Sequence, residues 1–209
     1  MRSDDILKHV QGPKVLDVGC TGHVVKFGDP GWLHGRLRDQ FKDVSGVDIS
    51  ESNLKMLQDH GYDNLHLASA ENFELPDRFN TVVAGELIEH LSNPGMFLDT
   101  AKKHLAPGGR IIISTPYAFS LLYFFYAFFK YPKTCQNEEH AVWFCLQTMK
   151  SLTERAGLKI DHVEMLEDYD PNDPSGTYRT FVNLISIFRP IIPARLRKNV
   201  MLFVLTPST

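Results

Sequence analysis

The chain has 209 residues, of which 43% are hydrophobic and 22% charged, and its formal net charge is −3. This is the composition of an ordinary globular protein with its own core, so residues 1–209 are predicted to form a single domain. The negative charge argues against general affinity for nucleic acids. The cysteines Cys20, Cys135 and Cys145 are odd in number and lack the spacing of a disulfide framework, which predicts a reducing, cytoplasmic setting.

Apolar segments of strand length alternate with amphipathic segments along most of the chain. Helices are predicted where apolar residues recur every three or four positions, with Ser50 or Ser52 as a helix cap and Gly61 as a helix end. The predicted helices cover 32–41, a segment around 54–58, 94–105 and 146–156. The predicted strands, rich in β-branched residues, cover 15–18, 44–48, 65–68, 81–84, 110–114, 158–163 and 200–205.

This alternation predicts the α/β fold class: a doubly wound, Rossmann-like, mainly parallel sheet of seven strands with helices on both faces. In such sheets a ligand binds at the carboxyl ends of the strands, near the point where the strand order reverses. Side chains that follow the predicted strands are therefore the first candidates for a binding site.

The first predicted strand ends in Val15-Leu16-Asp17-Val18-Gly19-Cys20-Thr21-Gly22. Asp17 is an uncommon strand residue, and the glycines after it allow a backbone to approach a ligand closely. A second acid, Asp48, ends the next strand, near the spacing at which an acid grips ribose hydroxyls in nucleotide-binding units. The two elements in this order indicate an adenosine-containing ligand.

Five segments of the sequence together resemble the motifs of one protein family, in the order in which that family has them. The chain resembles class I S-adenosylmethionine-dependent methyltransferases, and within them the small-molecule type of an uncharacterised subfamily. Fold-level likeness leaves the substrate open. The segments that carry the resemblance are Val15 to Cys20, Gly46 to Ser50, Ala68 to Glu71, Val82 to Leu91 and Leu105 to Arg110.

The resemblance implies S-adenosyl-L-methionine as the cofactor and a role for each matching position. The turn would run beneath the methionine part, Asp48 would accept both ribose hydroxyls, and Ile49 would pack on the adenine. Ser69 and Ala70 would read the adenine edge. The implied cofactor-binding residues are Asp17, Gly19, Cys20, Thr21, Gly22, Asp48, Ile49, Ser69, Ala70, Gly85 and Glu86.

Two positions depart from the family's pattern. The second glycine of the usual Gly-x-Gly-x-Gly turn is displaced by one to Gly22, and His23 stands where the third is expected. Ser69 takes the position where an aspartate commonly reads the adenine amino group, and a hydroxyl is a weaker acceptor than a carboxylate. Neither change excludes binding of the cofactor.

Glu86, Glu89 and His90 have the spacing of one helical face, and His140 could join them from a later segment. We predict His90, His140 and Glu89 as catalytic residues, because imidazole titrates near neutral pH and can serve as a general base. No metal is predicted. The alternatives are a divalent metal held by Glu86, Glu89, His90 and His140, as in some methyltransferases that act on hydroxyls, and a purely structural role.

An aromatic run from Tyr117 to Tyr131 follows the fifth predicted strand, and its uncharged part is too short to span a bilayer. In the resembled superfamily, substrate-covering insertions occur here, so an insertion is predicted at about 116–142. The run could be a lid or pocket wall, a core helix, or a contact with a membrane surface. Cations mixed with apolar residues at 188–198 could touch anionic lipid or a phosphorylated substrate.

The predicted function is transfer of a methyl group from S-adenosyl-L-methionine to an oxygen or nitrogen of a small-molecule acceptor. This acceptor could be linked to a lipid or a sugar. Peripheral membrane contact is open, as is the oligomeric state. The alternatives are a metal-dependent RNA ribose methyltransferase, a non-catalytic cofactor-binding module, and a nicotinamide-dependent oxidoreductase that would share the first strand, turn and acid.

Overall fold

In the computed structural model, which describes residues 2–22, 27–129, 138–169 and 176–208, seven strands form one sheet. Their order is β3-β2-β1-β4-β5-β7-β6. β7 is antiparallel to both of its neighbours, whereas all the other strand pairs are parallel. The strands are β1 Lys14–Val18, β2 Asp43–Asp48, β3 Leu65–Leu67, β4 Phe79–Gly85, β5 Leu105–Pro116, β6 Leu158–Leu166 and β7 Val200–Pro207.

Helices cover the two faces of this sheet, as predicted. Alternate residues of β1 point to opposite sides: Val15 packs with α1 and α2, whereas Leu16 packs with α4 and α6. The helices are α1 Arg2–Leu7, α2 Leu33–Gln40, α3 Glu51–Asp59, α4 Pro94–Lys103, α5 Leu121–Phe129, α6 Leu146–Arg155, α7 Gly176–Ile187 and α8 Ala194–Arg197. The predicted fold class is confirmed.

All seven predicted strands are present, and the cap of α3 is Ser50, whose hydroxyl accepts from the Asn53 amide. The strand predicted at 110–114 is longer than expected, because Leu105 already pairs with Phe79 before an irregular stretch and because the strand continues to Pro116. Helices α1, α7 and α8 were not predicted. The strand order reverses between β1 and β4, and this opens the carboxyl edge of the sheet to a ligand.

The segment predicted as an insertion, 116–142, contains α5, and its residues 130–137 lie outside the described part of the chain. Leu122 and Tyr126 of α5 pack against Tyr178, Phe181 and Ile185 of α7 in an apolar cluster separate from the two clusters beside the sheet. Among the helices described, none combines the length and apolar character needed to cross a bilayer.

Candidate active site at the carboxyl edge of the sheet

The turn after β1 is held against β2 by its own backbone. Gly19 and Cys20 both donate their amides to the Val47 carbonyl, at 2.8 and 3.3 Å. Gly19 has φ +80° and Gly22 has φ +59°, conformations that residues with a Cβ rarely adopt. A Cβ on Gly19 would lie 3.1 Å from the Leu87 side chain, so glycine here permits the close approach of the two segments.

Asp48 joins this turn to the end of β2 through its carboxylate. One oxygen accepts the Thr21 amide at 3.0 Å, and the other accepts the Ser50 amide at 2.9 Å. Each carboxylate oxygen has two acceptor sites, so one site on each oxygen is left for a ligand. The two amides also fix the plane of the carboxylate, which presents the remaining sites as a pair.

A cavity of about 240 Å³ lies between this turn, the end of β2 and the segments that follow β3 and β4. Asp48 faces it, and Ile49 beside Asp48 is 75% exposed although its side chain is apolar. An exposed aliphatic surface at a cavity wall suits a flat apolar ring. The cavity is lined by Gly19, Val47, Asp48, Ile49, Ala68, Ser69, Ala70, Glu71, Leu87, His90, Leu91 and Ser92.

The far wall of the cavity contains Ser69 and Ala70, which the family resemblance predicts to read the adenine edge. The Ser69 hydroxyl accepts the Glu71 amide at 3.2 Å. Glu71 is a lining residue that was not among the predicted site residues. Hydrogen bonds from the side chain and the backbone of Asn93 hold the pKa of Glu71 below its usual range. Glu71 therefore stays ionised near neutral pH and ties the wall to the start of α4.

Asp17 is buried against α2 and is not among the residues that line the cavity. Its carboxylate is 2% exposed and lies 3.1 Å from Nδ1 of the fully buried His34 on α2. Burial raises the pKa of the Asp17 carboxyl, and the contact with His34 opposes the rise. Among the described residues Asp17 is not part of the cavity lining, so its role toward the cofactor stays a prediction.

Three other predicted binding residues are not among the residues that line the cavity. Cys20 is 2% exposed, burial raises the pKa of its thiol, and its sulfur fills the space beside Gly46. Thr21 is buried and donates its hydroxyl to the Gly22 carbonyl at 3.1 Å. Gly85 ends β4, where a Cβ would lie 3.0 Å from the Leu33 side chain. His23 lies outside the described residues.

Glu86 has φ +52°, an uncommon conformation for a residue with a side chain. Its amide is held by the Ser114 carbonyl at 3.0 Å. Burial raises the pKa of its carboxyl, and the Arg2 guanidinium, 3.5 Å away, opposes this. Strained backbone that persists beside a cavity is typical of functional sites. Helix α1, which carries Arg2, therefore reaches the edge of the site.

Glu89, His90 and His140 meet beside the cavity. One ligand atom from each of the three residues lies within 4.8 Å of the others, and the two imidazole rings are 4.8 Å apart, edge to face. The amides of Ala141 and Val142 donate to the Glu89 carbonyl and hold the later segment in place. Because His90 also lines the cavity, this cluster opens toward the expected cofactor.

Glu89 is the buried member of the cluster, 1% exposed. One carboxyl oxygen accepts the Thr115 hydroxyl at 3.0 Å, whereas the other has no hydrogen-bond partner among the residues that the structure describes. Burial and then the negative charge of Glu86 raise the pKa of Glu89 well above its usual range. Glu86 lies outside this three-residue group, so the structure unites three of the four residues in the alternative metal set.

An aromatic groove of about 630 Å³ lies beside the cluster of Glu89, His90 and His140. The His140 ring lies 5.7 Å from Trp143, and Trp143 lies 4.6 Å from Tyr123 of α5. A continuous path of rings therefore leads from His90 at the cavity to the groove. The groove is lined by Ala118, Phe119, Leu121, Tyr123, Phe124, Ala127 and Trp143.

Comparison with known families identifies the family to which this chain belongs. Residues 4–163 match the model of a family described as a methyltransferase domain, which covers most of the chain. The chain belongs to the methyltransferase-domain family. This confirms the recognition made from the five sequence segments and argues against the nicotinamide-dependent oxidoreductase alternative.

Curated relatives match the chain over part of their length. The ubiquinone biosynthesis O-methyltransferase of Thiobacillus denitrificans (strain ATCC 25259 / T1) is 32% identical over 122 residues, which are 55% of this chain and 49% of that protein. The protein of the same description from Caulobacter sp. (strain K31) is 34% identical over 112 residues, 50% of this chain and 41% of that protein. The alignments thus span about half of these relatives or less.

Solved structures share the fold over nearly the whole chain. The glycopeptide N-methyltransferase MtfA, complexed with S-adenosyl-L-methionine, has a TM-score of 0.63 at 14% identity and matches 100% of this chain and 86% of its own. An S-adenosylmethionine-dependent methyltransferase from Mesorhizobium loti has a TM-score of 0.62 at 18% identity, covering 98% and 95%. At these identities the likeness concerns the fold.

Proposed function

We propose that this protein transfers a methyl group from S-adenosyl-L-methionine to an oxygen or nitrogen of a small-molecule acceptor with an apolar portion. One observation carries the proposal: Asp48, with two acceptor sites left on its carboxylate, faces a cavity formed by the Gly19 turn. Membership of the methyltransferase-domain family supports it. The cysteine pattern supports a cytoplasmic location.

The residues of the cavity fit the adenosyl group. A pair of hydroxyls on adjacent carbons requires two acceptors held in one plane, and the backbone amides of Thr21 and Ser50 hold Asp48 in that way. The exposed Ile49 offers an apolar face for the adenine, and Ser69 and Ala70 lie where its edge would be read. The absence of a Cβ at Gly19 leaves room for the backbone to approach the methionine part.

The chemistry supplied by the cofactor when bound is a methyl group on a positively charged sulfur. The chain's own residues would align the acceptor for in-line attack and remove its proton. We assign the removal of this proton to His90, because His90 lines the cavity and also belongs to the cluster with Glu89 and His140. The neighbouring His140 ring would position His90, and the buried carboxyl of Glu89 would position both.

The aromatic groove beside His140 supports an acceptor with an apolar part. Its walls are aromatic or aliphatic, and Phe119 and Phe124 have 69% and 66% of their surfaces exposed. A bound apolar group would cover that surface, and covering apolar surface is favourable by about 25 cal/mol per Å². We therefore propose that the described part of the predicted insertion that carries α5 forms an acceptor wall.

The same exposed aromatic surface, with the cations between 188 and 198, supports peripheral contact with a membrane that holds a lipid-linked acceptor. The net charge of −3 argues against RNA as the acceptor. The role of the groove is tested with two small acceptors that differ only in an alkyl chain.

The test uses a catechol and the same catechol with an eight-carbon chain as acceptors, with S-adenosyl-L-homocysteine formation measured by mass spectrometry. We expect the alkylated acceptor to have the higher kcat/KM, by about tenfold, since several methylenes enter the groove. Trp143→Ala should reduce this preference. Val163→Ala, on the exposed surface of β6, is the matched control and should leave the preference unchanged.

Two outcomes would overturn the proposal. Tight binding of S-adenosyl-L-homocysteine with no turnover of any acceptor would indicate a non-catalytic cofactor-binding module. Turnover of RNA alone, with no reaction on either catechol, would indicate a nucleic-acid methyltransferase.

A second candidate is metal-assisted transfer, favoured by the approach of Glu89, His90 and His140 to within 4.8 Å. One carboxylate and two imidazoles suit a divalent metal, which would supply Lewis-acid activation of an acceptor oxygen. Dialysis against EDTA separates the candidates: activity that is lost and then restored by a divalent metal favours the metal, whereas unchanged activity favours His90 as the base.

A further inference from the structure

A second group of metal-type side chains lies far along the sheet from the site described above. β6 is an edge strand, paired within the described sheet with β7 alone. His162 and Glu164 of β6 meet His9, which follows α1. The proposed methyl transfer gives these three residues no role, and no predicted site residue is among them.

A β-bulge directs two of these side chains. In the register between β6 and β7, Ile160 pairs with Leu205 and His162 pairs with the next residue, Val204, so Asp161 is the extra residue. Before the bulge, Ile160 packs in the core on the α4 and α6 side. After it, Leu166, an even number of positions along the strand, packs in the core on the α1 side.

His162 and Glu164 share the alternation of Leu166, so the bulge turns both toward α1. Without the extra residue at Asp161, both side chains would point to the opposite face, away from His9. The Asp161 carboxylate accepts the Thr206 hydroxyl at 2.7 Å, which holds the bulge in place. Bulges commonly re-aim side chains in this way.

The three side chains are close enough to share one ion. Nε2 of His9 lies 4.0 Å from a Glu164 carboxylate oxygen, and the rings of His9 and His162 are 4.8 Å apart. One ligand atom from each residue lies within 4.8 Å of the other two. Ligands of a tetrahedral zinc ion lie about 3.4 Å apart, so small side-chain rotations would complete the set.

The main chain of His9 is fixed before any ion binds. Its amide donates to the Ile6 carbonyl at 3.0 Å, and its carbonyl accepts the Arg110 guanidinium at 3.4 Å. His162 is exposed, whereas His9 and Glu164 are half-buried, so solvent reaches the group and can supply a further ligand.

The ligand chemistry selects the class of ion. Two imidazoles and a single carboxylate suit Zn²⁺, Ni²⁺ or Cu²⁺, whereas Mg²⁺ and Ca²⁺ prefer sets made of oxygens. The positive charges of Lys8 and Arg110 lie near and offset the charge of Glu164. Coordination by nitrogen, rather than attraction by accumulated negative charge, would therefore determine binding.

We propose that His9, His162 and Glu164 bind one divalent transition-metal ion that clamps the end of α1 to edge strand β6. Binding of the ion would also affect residues that do not coordinate it, because α1 carries Arg2, whose guanidinium lies 3.5 Å from Glu86 beside the proposed active site. The metal site thus stabilises the helix that borders the proposed catalytic centre.

The test titrates Zn²⁺ into protein without an affinity tag by calorimetry. The starting protein is His140→Ala, which removes a ligand from the other histidine cluster. We expect one ion per chain, and affinity at least about tenfold weaker when His162→Ala or Glu164→Gln is added. Zn²⁺ should raise the unfolding midpoint of His140→Ala and should do so less in the double variants. His60→Ala, at an exposed histidine after α3, is the matched control and should bind as the starting protein does.

Three results would overturn the proposal. The first is that His140→Ala protein binds no Zn²⁺, and the second is that adding His162→Ala or Glu164→Gln leaves its affinity for Zn²⁺ unchanged. The third is one ion per two chains, accompanied by a dimer in light scattering, which would place the exposed His162 in an intermolecular bridge instead. Circular dichroism of each variant without metal checks that the fold is retained.

Discussion

Asp17 and Asp48 stand near the ends of neighbouring parallel strands and look alike in the sequence, yet the structure gives them different surroundings. Asp48 faces a cavity and keeps acceptor sites for a ligand, with each oxygen fixed by one backbone amide. Asp17 is buried against His34 of α2, with its pKa raised by that burial. The two acids therefore differ in burial and in their partners, and the role of each toward the cofactor stays a prediction.

This contrast makes different predictions for residues on the cavity side, which line the cavity, and for residues on the α2 side, which pack against α2. Substitutions on the cavity side should reduce catalysis or ligand affinity, whereas substitutions on the α2 side should change stability and its dependence on pH.

The largest effect is expected at His90, the proposed base on the cavity side. His90→Gln should lower kcat by about 10²- to 10⁴-fold, the usual contribution of general-base catalysis. His60→Gln, in an exposed position, is the control and should keep its kcat. A variant His90→Gln with full kcat would remove His90 from the mechanism.

Gly19→Ala should have the next largest effect. A side chain at φ +80° costs about 1–2 kcal/mol, and the new Cβ would press on Leu87, a cavity residue. Relief of both requires the turn to move, so we expect affinity for S-adenosyl-L-homocysteine to fall about 30-fold. Gly61→Ala is the matched control, because Gly61 has φ +83° and open space at its Cβ. It should lose stability and keep its affinity; equal affinities in the two variants would contradict the assigned role of Gly19.

On the α2 side, Asp17→Asn should alter how stability depends on pH. Because burial raises the pKa of Asp17, the folded state holds this proton to higher pH than the unfolded state does. Its contribution is complete below the unfolded pKa and declines as pH rises through the folded pKa, by about 1.4 kcal/mol for each pH unit that separates the two pKa values. Asn carries no such proton, so the stability of Asp17→Asn relative to the natural chain should rise with pH over this interval.

Urea unfolding between about pH 2 and 7 measures this difference, and the lower part of the range covers the control, which titrates below about pH 4. Asp63→Asn supplies a control of opposite sign, because the hydrogen bond from Arg38 lowers the pKa of Asp63. Its stability relative to the natural chain should fall, not rise, as pH increases. Parallel pH curves for Asp17→Asn and the natural chain would show that Asp17 is not a buried carboxyl of raised pKa.

The fold and the turn after β1 could be predicted because their signals are local. Val15 to Gly22 specifies a strand and a turn with positive φ, and both depend on neighbouring residues only. The interior of β5 is similarly plain, since it is apolar on both faces. The contact of Asp17 with His34 depends instead on which face of β1 meets α2, and no local pattern contains that information.

The missed helices have two explanations. Helices α1 and α8 have six and four residues, too few for a clear apolar period. Helix α7 does have apolar residues at helical spacing, Tyr178, Phe181 and Ile185, and that signal could have located it. It packs on α5 rather than on the sheet, so the alternation of strands and helices gave no reason to expect it. The bulge at Asp161 escaped for a third reason, because its effect appears only in the pairing with β7.

Calorimetric titration of S-adenosyl-L-homocysteine into the natural chain, Asp48→Asn and Asp17→Asn is the decisive experiment on the cofactor site. We expect Asp48→Asn to weaken binding by about 30-fold, about 2 kcal/mol, because charged hydrogen bonds to the ligand are lost. Asp17→Asn should weaken it far less. Equal affinities for the natural chain and Asp48→Asn, or a larger loss in Asp17→Asn, would contradict the claim that Asp48 is the acid that binds the cofactor.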